Sequence, residues 1–184
     1  MRSLQSYLDE YRSHHSNPVN ELIHFICVPL ITFTTLAMLW LVPVGRWLGL
    51  PEAISPYVNA STLAALPIFA FYLRLSLKGA LLMALWFAAT VAGILAMQSA
   101  GWPLLGLCAT AWLVAWAVQL YGHKLEGHKP SFFGDLLFLL IGPLFVNDKL
   151  VLRLGPVNTT GIAALPVKSA SGKAPADAKA GNAA

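Results

Sequence analysis

The amino-acid sequence predicts an all-α polytopic membrane protein with four transmembrane helices, an N-terminal amphipathic helix and one short re-entrant or interfacial helix. Hydrophobic residues make up 57% of the 184 residues and charged residues only 11%, whereas a soluble domain carries about 25% charged residues. The mean hydropathy is +0.65. Long apolar runs also recur between breaks rich in Pro and Gly. These observations exclude an ordinary soluble enzyme and a disordered chain.

The first predicted element is a short amphipathic helix before the first span. Its apolar stripe at helical spacing consists of Leu4, Tyr7, Leu8 and Tyr11. We expect this helix to lie on the membrane surface or on the helix bundle. The polar composition of residues 1–20 does not fit a signal peptide. Asn17 followed by Pro18 ends this helix and can cap the next one.

Four apolar runs are the predicted spans. They cover residues 24–42, 57–73, 79–97 and 104–121. Residues 1–23, 43–56, 74–78, 98–103 and 122–131 carry 2, 1, 2, 0 and 2 Lys and Arg residues, respectively. This alternation predicts that the N-terminus and the segment after the fourth span are cytoplasmic. The short loops and the Ala-rich tail are typical of a bacterial protein, so we expect an integral protein of a bacterial inner membrane.

The apolar run 132–146 is shorter than a span and is interrupted by Asp135 and Pro143. We predict a re-entrant or interfacial helix here, with a fifth span as the alternative. Residues 1–156 then form one helical membrane domain. Residues 157–184 form an Ala-, Gly-, Lys- and Pro-rich tail that we expect to be disordered.

Charge and cysteine content restrict the partners. The net charge of +4 is too dilute for nucleic-acid binding and fits contact with anionic membrane lipid. Cys27 and Cys108 lie in apolar runs, which predicts small core residues rather than a disulfide. Small residues such as Gly79 and Gly93 allow close helix packing within one subunit or between subunits. A homo-oligomer therefore remains open.

All five histidines fall in two short segments, one that ends at the first residue of the first span and one after the fourth span. They are His14, His15, His24, His123 and His128. An even number of spans returns both segments to one face of the membrane. Asn20 and His24 are four residues apart and share a helix face. His123 and Glu126 share a face if the helix continues through them.

Two or three imidazoles with a carboxylate are a plausible transition-metal site. The arrangement of two histidines and one carboxylate suits non-haem Fe(II) and oxygen chemistry, although spacing does not distinguish iron from zinc. The sequence lacks the His-Glu-x-x-His zinc motif, a Gly-rich phosphate loop and a Gly-x-Ser-x-Gly elbow. We expect His14 and His128 to be bystanders.

Two motifs resemble those of a known family, the membrane 2-hydroxy fatty acid dioxygenases. The first reads Tyr11-x3-His15-x4-Asn20-x3-His24. The second reads Gly122-His123-x2-Glu126-Gly127-x2-Pro130-Ser131-x9-Ile141-Gly142-Pro143. The resemblance covers about residues 4–150 and includes the placement of the spans.

This resemblance implies Fe(II)-dependent α-oxidation, in which O2 is used to shorten a long-chain 2-hydroxy fatty acid by one carbon. It implies His15, His24 and His123 as iron ligands. It implies Glu126 as a fourth candidate ligand or catalytic residue. Asn20 is implied to hydrogen-bond a ligand or the substrate.

Three other readings remain open. A desaturase-like hydroxylase is expected to carry more histidines, in paired boxes. A small transporter usually places ionisable groups near the middle of its spans, and none falls there in this sequence. A membrane scaffold predicts no bound metal and tolerance of His→Ala changes.

Overall fold

The computed structural model describes residues 3–13, 15, 17–127 and 137–154. Its helices are α1 (Leu4–Ser13), α2 (Pro18–Trp40), α3 (Val44–Trp47), α4 (Ala60–Leu75), α5 (Leu77–Ser99), α6 (Leu104–Glu126) and α7 (Phe138–Leu154). A 3-10 turn, Ser55–Tyr57, lies in the loop between α3 and α4. These ranges contain no strand, so the all-α class is confirmed for them. The predicted disordered tail lies outside the described residues.

Three segments are long and apolar enough to cross a membrane. They are Pro18–Trp47, Leu77–Ser99 and Leu104–Glu126. The predicted second span, 57–73, coincides with α4, which has 16 residues and is shorter than the roughly 20 residues of a typical span. The structure thus supports a membrane protein with three candidate spans, and the fourth span stays a prediction.

Helix α1 lies on the bundle rather than away from it. All four residues of its predicted stripe are buried, and the helix contacts α7. The stripe joins one apolar core with Tyr72 of α4 and Met83 of α5. Of the two predicted positions for this helix, the structure favours packing on the bundle.

Helix α7 differs in its bounds from the predicted helix 132–146. It begins at Phe138 and continues to Leu154, with Pro143 inside it, while residues 132–136 lie outside the described part. Every residue from 141 to 147 is buried, so packing against protein explains this apolar run. The predicted C-terminal bound was wrong because the polar residues 147–149 follow the apolar run and look like its end in the sequence. In the fold, Lys149 pairs with Glu21 of α2 at 2.6 Å.

The start of α2 is capped as predicted. The side chain of Asn17 accepts hydrogen bonds from the backbone N–H of Val19 at 2.9 Å and of Asn20 at 3.4 Å. Pro18 occupies the first turn, where no intrahelical donor is needed. The cap therefore fixes where α2 begins relative to the preceding segment.

Helices α2 and α6 share the most extensive contact in the described fold. A glycine, Gly122, permits their close approach near the end of α6. A Cβ at this position would lie 2.5 Å from Oδ1 of Asn20 and 3.2 Å from side-chain carbons of Ile23. The two helices that carry His24 and His123 are thereby held side by side. Cys27 and Cys108 are free and buried, as predicted.

Candidate metal centre

His15 lies between α1 and α2 and is held by the end of α1. Its backbone N–H donates to the carbonyl oxygen of Arg12 at 3.1 Å. Its Nδ1 lies 2.7 Å from the carbonyl oxygen of Tyr11. The Tyr11 ring stacks on the imidazole, with centroids 4.1 Å apart and planes 10° apart. Burial raises the pKa of the Tyr11 phenol, so this group stays neutral beside the imidazole.

His24 projects from the second turn of α2 and is oriented in a similar way. Its Nδ1 lies 2.9 Å from the carbonyl oxygen of Asn20, one turn earlier. A carbonyl oxygen can only accept a hydrogen bond, so Nδ1 is the donor in both His15 and His24. In the neutral imidazole the other nitrogen, Nε2, then carries a lone pair.

The Nε2 atoms of His15 and His24 lie close to each other, and that of His24 also lies close to Nε2 of His123 in α6. The Nε2 atoms of His15 and His24 are 3.2 Å apart, and those of His24 and His123 are 3.1 Å apart. All three side chains are buried. Two bare lone pairs at such distances repel each other unless a cation lies between them. The cluster is therefore built to share a positive charge.

Two of the three distances between these histidines fit a shared transition metal. With metal–nitrogen bonds of about 2.1 Å, two ligands on one ion lie roughly 3.0 Å apart at 90° and roughly 3.4 Å apart at 109°. The two observed Nε2 distances, 3.2 and 3.1 Å, fall within this range. The three ligand atoms all lie within 4.8 Å of one another. Metal-binding histidines also commonly donate their second ring N–H to a backbone carbonyl.

Glu126 lies at the end of α6, and its carboxylate binds the start of α2. The backbone N–H of Asn17 donates to Oε1 and Oε2 of Glu126 at 3.0 and 3.1 Å. Nδ2 of Asn20 donates to Oε2 at 2.9 Å. Glu126 is outside the three-histidine group, so the structure brings it to Asn17 and Asn20. Its predicted role as a fourth ligand stays a prediction.

A cavity opens directly beside the histidines. We call it the histidine cavity; it has about 430 Å³ of open space, and its lining includes His15, His24, His123, Val28, Ile31 and Gln119. Most of the remaining lining comes from α7. A small molecule in this cavity would contact the three histidines and an apolar wall together.

Gln119 and Tyr11 line the cavity but were not predicted as site residues. Gln119 is buried, and its Oε1 has no hydrogen-bond partner among the described residues. It precedes His123 by four residues, so both lie on one face of α6. That spacing and its polar side chain within an apolar run were signals available in the sequence.

The two predicted bystanders, His14 and His128, lie outside the described residues.

Comparison with known proteins agrees with the resemblance drawn from the two motifs. Residues 1–154 match the family described as 2-hydroxy-palmitic acid dioxygenase Mpo1-like. The chain is similar to the 2-hydroxy-palmitic acid dioxygenase MPO1 of Saccharomyces cerevisiae (strain ATCC 204508 / S288c). The two are 28% identical over 154 residues, which cover 83% of this chain and 82% of the relative. No solved structure matches the chain.

Proposed function

Because the chain belongs to the 2-hydroxy-palmitic acid dioxygenase Mpo1-like family, we propose that it is a membrane-embedded 2-hydroxy fatty acid dioxygenase. Its substrate would be a long-chain 2-hydroxy fatty acid, which it shortens by one carbon with O2. One O2 per acid balances the loss of C1 as CO2 together with one water, while C2 becomes the new carboxyl carbon. The cofactor in this proposal is Fe(II), and the site faces the cytoplasm of a bacterial cell.

One observation carries the proposal. One ring nitrogen from each of His15, His24 and His123 lies within 4.8 Å of the other two, and backbone carbonyls accept from Nδ1 of His15 and His24, which leaves the Nε2 lone pairs free. A scaffold protein has no need for three buried imidazoles oriented in this way. Imidazole suits iron, zinc, copper and nickel, and iron is favoured by the oxygen chemistry named for the yeast relative.

The three histidines would hold the metal, and bound Fe(II) would supply the redox chemistry that O2 requires. The protein itself contributes positioning. Tyr11 and Asn20 fix the imidazoles of His15 and His24 through their carbonyl oxygens. Asn20 and Glu126 tie the start of α2 to the end of α6.

The histidine cavity itself would bind the acid. Oε1 of Gln119 is free to accept a hydrogen bond from the hydroxyl of the substrate, since it has no partner in the described part of the chain. Apolar side chains such as Val28 and Ile31 exclude water from the rest of the cavity. The head group therefore has a polar contact within a largely dry site.

Metal analysis tests the proposal first. We expect near-stoichiometric iron in anaerobically purified protein, and its loss in the His15→Ala/His123→Ala double variant. Oxidation of 2-hydroxypalmitic acid should be lost in the same variant. The three histidines in the described part of the chain are all buried, so none of them can serve as an exposed His→Ala control. Gln98→Ala, an exposed position at the end of α5, serves as the control instead.

The competing readings predict different results in this experiment. Zinc in place of iron would support a metal site at the histidines but contradict the proposed dioxygenase activity. Absence of any metal after reconstitution with Fe(II), together with a folded double variant, would support a membrane scaffold.

A further inference from the structure

We propose that the alkyl chain of the substrate occupies a second cavity, and that Ala65 and Leu36 at its far end set the accepted chain length. We call it the acyl cavity; its lining includes Leu36, Ala65, Phe69, Tyr72, Trp86 and Phe87. It lies among α2, α4, α5 and α7. The inference rests on the proposed function, because it assigns a place to the chain of that substrate.

The acyl cavity adjoins the histidine cavity. Both are lined by Thr32 of α2 and by Leu139 and Pro143 of α7. Thr32 lies two turns beyond His24 on the same helix. A head group at the histidines can therefore extend its chain past these three shared residues into the acyl cavity.

The lining of the acyl cavity suits hydrocarbon and offers little to a polar ligand. Its two hydroxyl groups already have partners. The Tyr72 hydroxyl donates to the carbonyl oxygen of Leu140 at 2.8 Å, and the Thr32 hydroxyl donates to that of Val28 at 2.8 Å. Because a polar group in such a cavity would lose its hydrogen bonds to water, an alkyl chain is the favoured occupant.

The length available fits a long chain. Leu36 lies twelve residues beyond His24 on α2, which corresponds to about 18 Å at 1.5 Å per residue. One leaflet of lipid chains measures about 15 Å, half of the roughly 30 Å hydrocarbon core of a bilayer. The stretch of α2 from His24 to Leu36 therefore matches the length of an acyl chain in one leaflet.

Ala65 offers the clearest test of chain-length selection. It is buried, it has the smallest side chain in the lining, and it lies on α4 beside the same cavity as Leu36. Ala65→Leu fills the far end and Leu36→Ala enlarges it. The matched control is Ala70→Leu, because Ala70 is exposed on the same helix and receives the same added volume.

The first measurement is the ratio of kcat/KM for 2-hydroxypalmitic acid to that for 2-hydroxydecanoic acid. Ala65→Leu is expected to lower this ratio by about tenfold or more, which is the effect of a misfitted methylene group or two in an apolar site. Leu36→Ala is expected to raise it, and Ala70→Leu to leave it unchanged. Equal ratios in all four proteins would overturn the assignment.

A second measurement does not depend on turnover. An analogue of 2-hydroxypalmitic acid with a diazirine at its last carbon is photolysed with the protein in lipid nanodiscs, and the labelled residues are mapped by mass spectrometry. Labelling of the acyl-cavity residues that is lost in Ala65→Leu supports the proposal. Labelling confined to exposed residues such as Leu81 and Leu113 refutes it. If the cavity residues are labelled but the acid is not oxidised, the result would support the binding site for the chain and contradict the proposed dioxygenase activity.

Discussion

Replacing Gly122 by Ala tests whether the approach of α2 and α6 determines the metal centre. The added Cβ would lie 2.5 Å from Oδ1 of Asn20, closer than side chains tolerate. Asn20 is fully buried and its amide is held by Glu126, so it has little freedom to move aside. The helices must separate, and His24 then moves away from His123, the residue next to the substitution.

Gly106→Ala supplies the matched control for this prediction. Gly106 also lies in α6, but a Cβ there meets nothing within 4 Å. Both variants gain the same improvement in helix propensity, about 1 kcal/mol at most. The difference between them isolates the steric conflict, for which overpacking of a close contact costs about 1–3 kcal/mol.

Thermal unfolding and metal content together provide the readout. A loss of 1 kcal/mol lowers Tm by roughly 2–4 °C in a chain of this size. We therefore expect the Tm of Gly122→Ala to fall below that of Gly106→Ala by about 2–12 °C, and its metal content to fall as well. Equal Tm values and equal metal content would refute the argument that Gly122 sets the distance between the histidines.

Two further predictions concern the residues around the histidines. Tyr11→Ala removes the ring stacked on His15 and should cost about 3–5 kcal/mol of stability with reduced metal content, whereas Tyr11→Phe keeps the ring and should retain the metal; equal metal content in both variants would contradict this. Glu126→Gln keeps an acceptor for Asn17 and Asn20 and should retain the metal, while Glu126→Ala should lose about 1.5–3 kcal/mol and part of the metal. Complete metal loss in Glu126→Gln would instead identify Glu126 as a ligand.

Much of the local structure could be predicted because it depends on neighbouring residues. The stripe of α1 follows from helical spacing, and the cap at Asn17 follows from a polar side chain before a proline. The grouping of His24 with His123 followed from the topology, because the start of α2 and the end of α6 lie at the same side of the bundle. These inferences use only separations of a few residues or the order of the spans.

The partners of Glu126 and the shape of the cavities could not be predicted in the same way. Glu126 meets Asn17 and Asn20 across 109 and 106 residues of sequence, and no local pattern encodes that meeting. The apolar residues of α7 look the same whether lipid or protein covers them. Only the packing of α1 and α2 against α7 shows that protein does so.

The distance along the chain between His24 and His123 also determines when the protein could first hold the proposed metal during synthesis. The pair is separated by 99 residues, and α4 and α5 lie between them. A nascent chain that ends before α6 has only two of the three imidazoles and lacks the helix that closes the cluster. If the cluster binds the proposed iron, its loading is coupled to completion of α6. The proposed redox-active ion would thus enter only after the surrounding protein can enclose it.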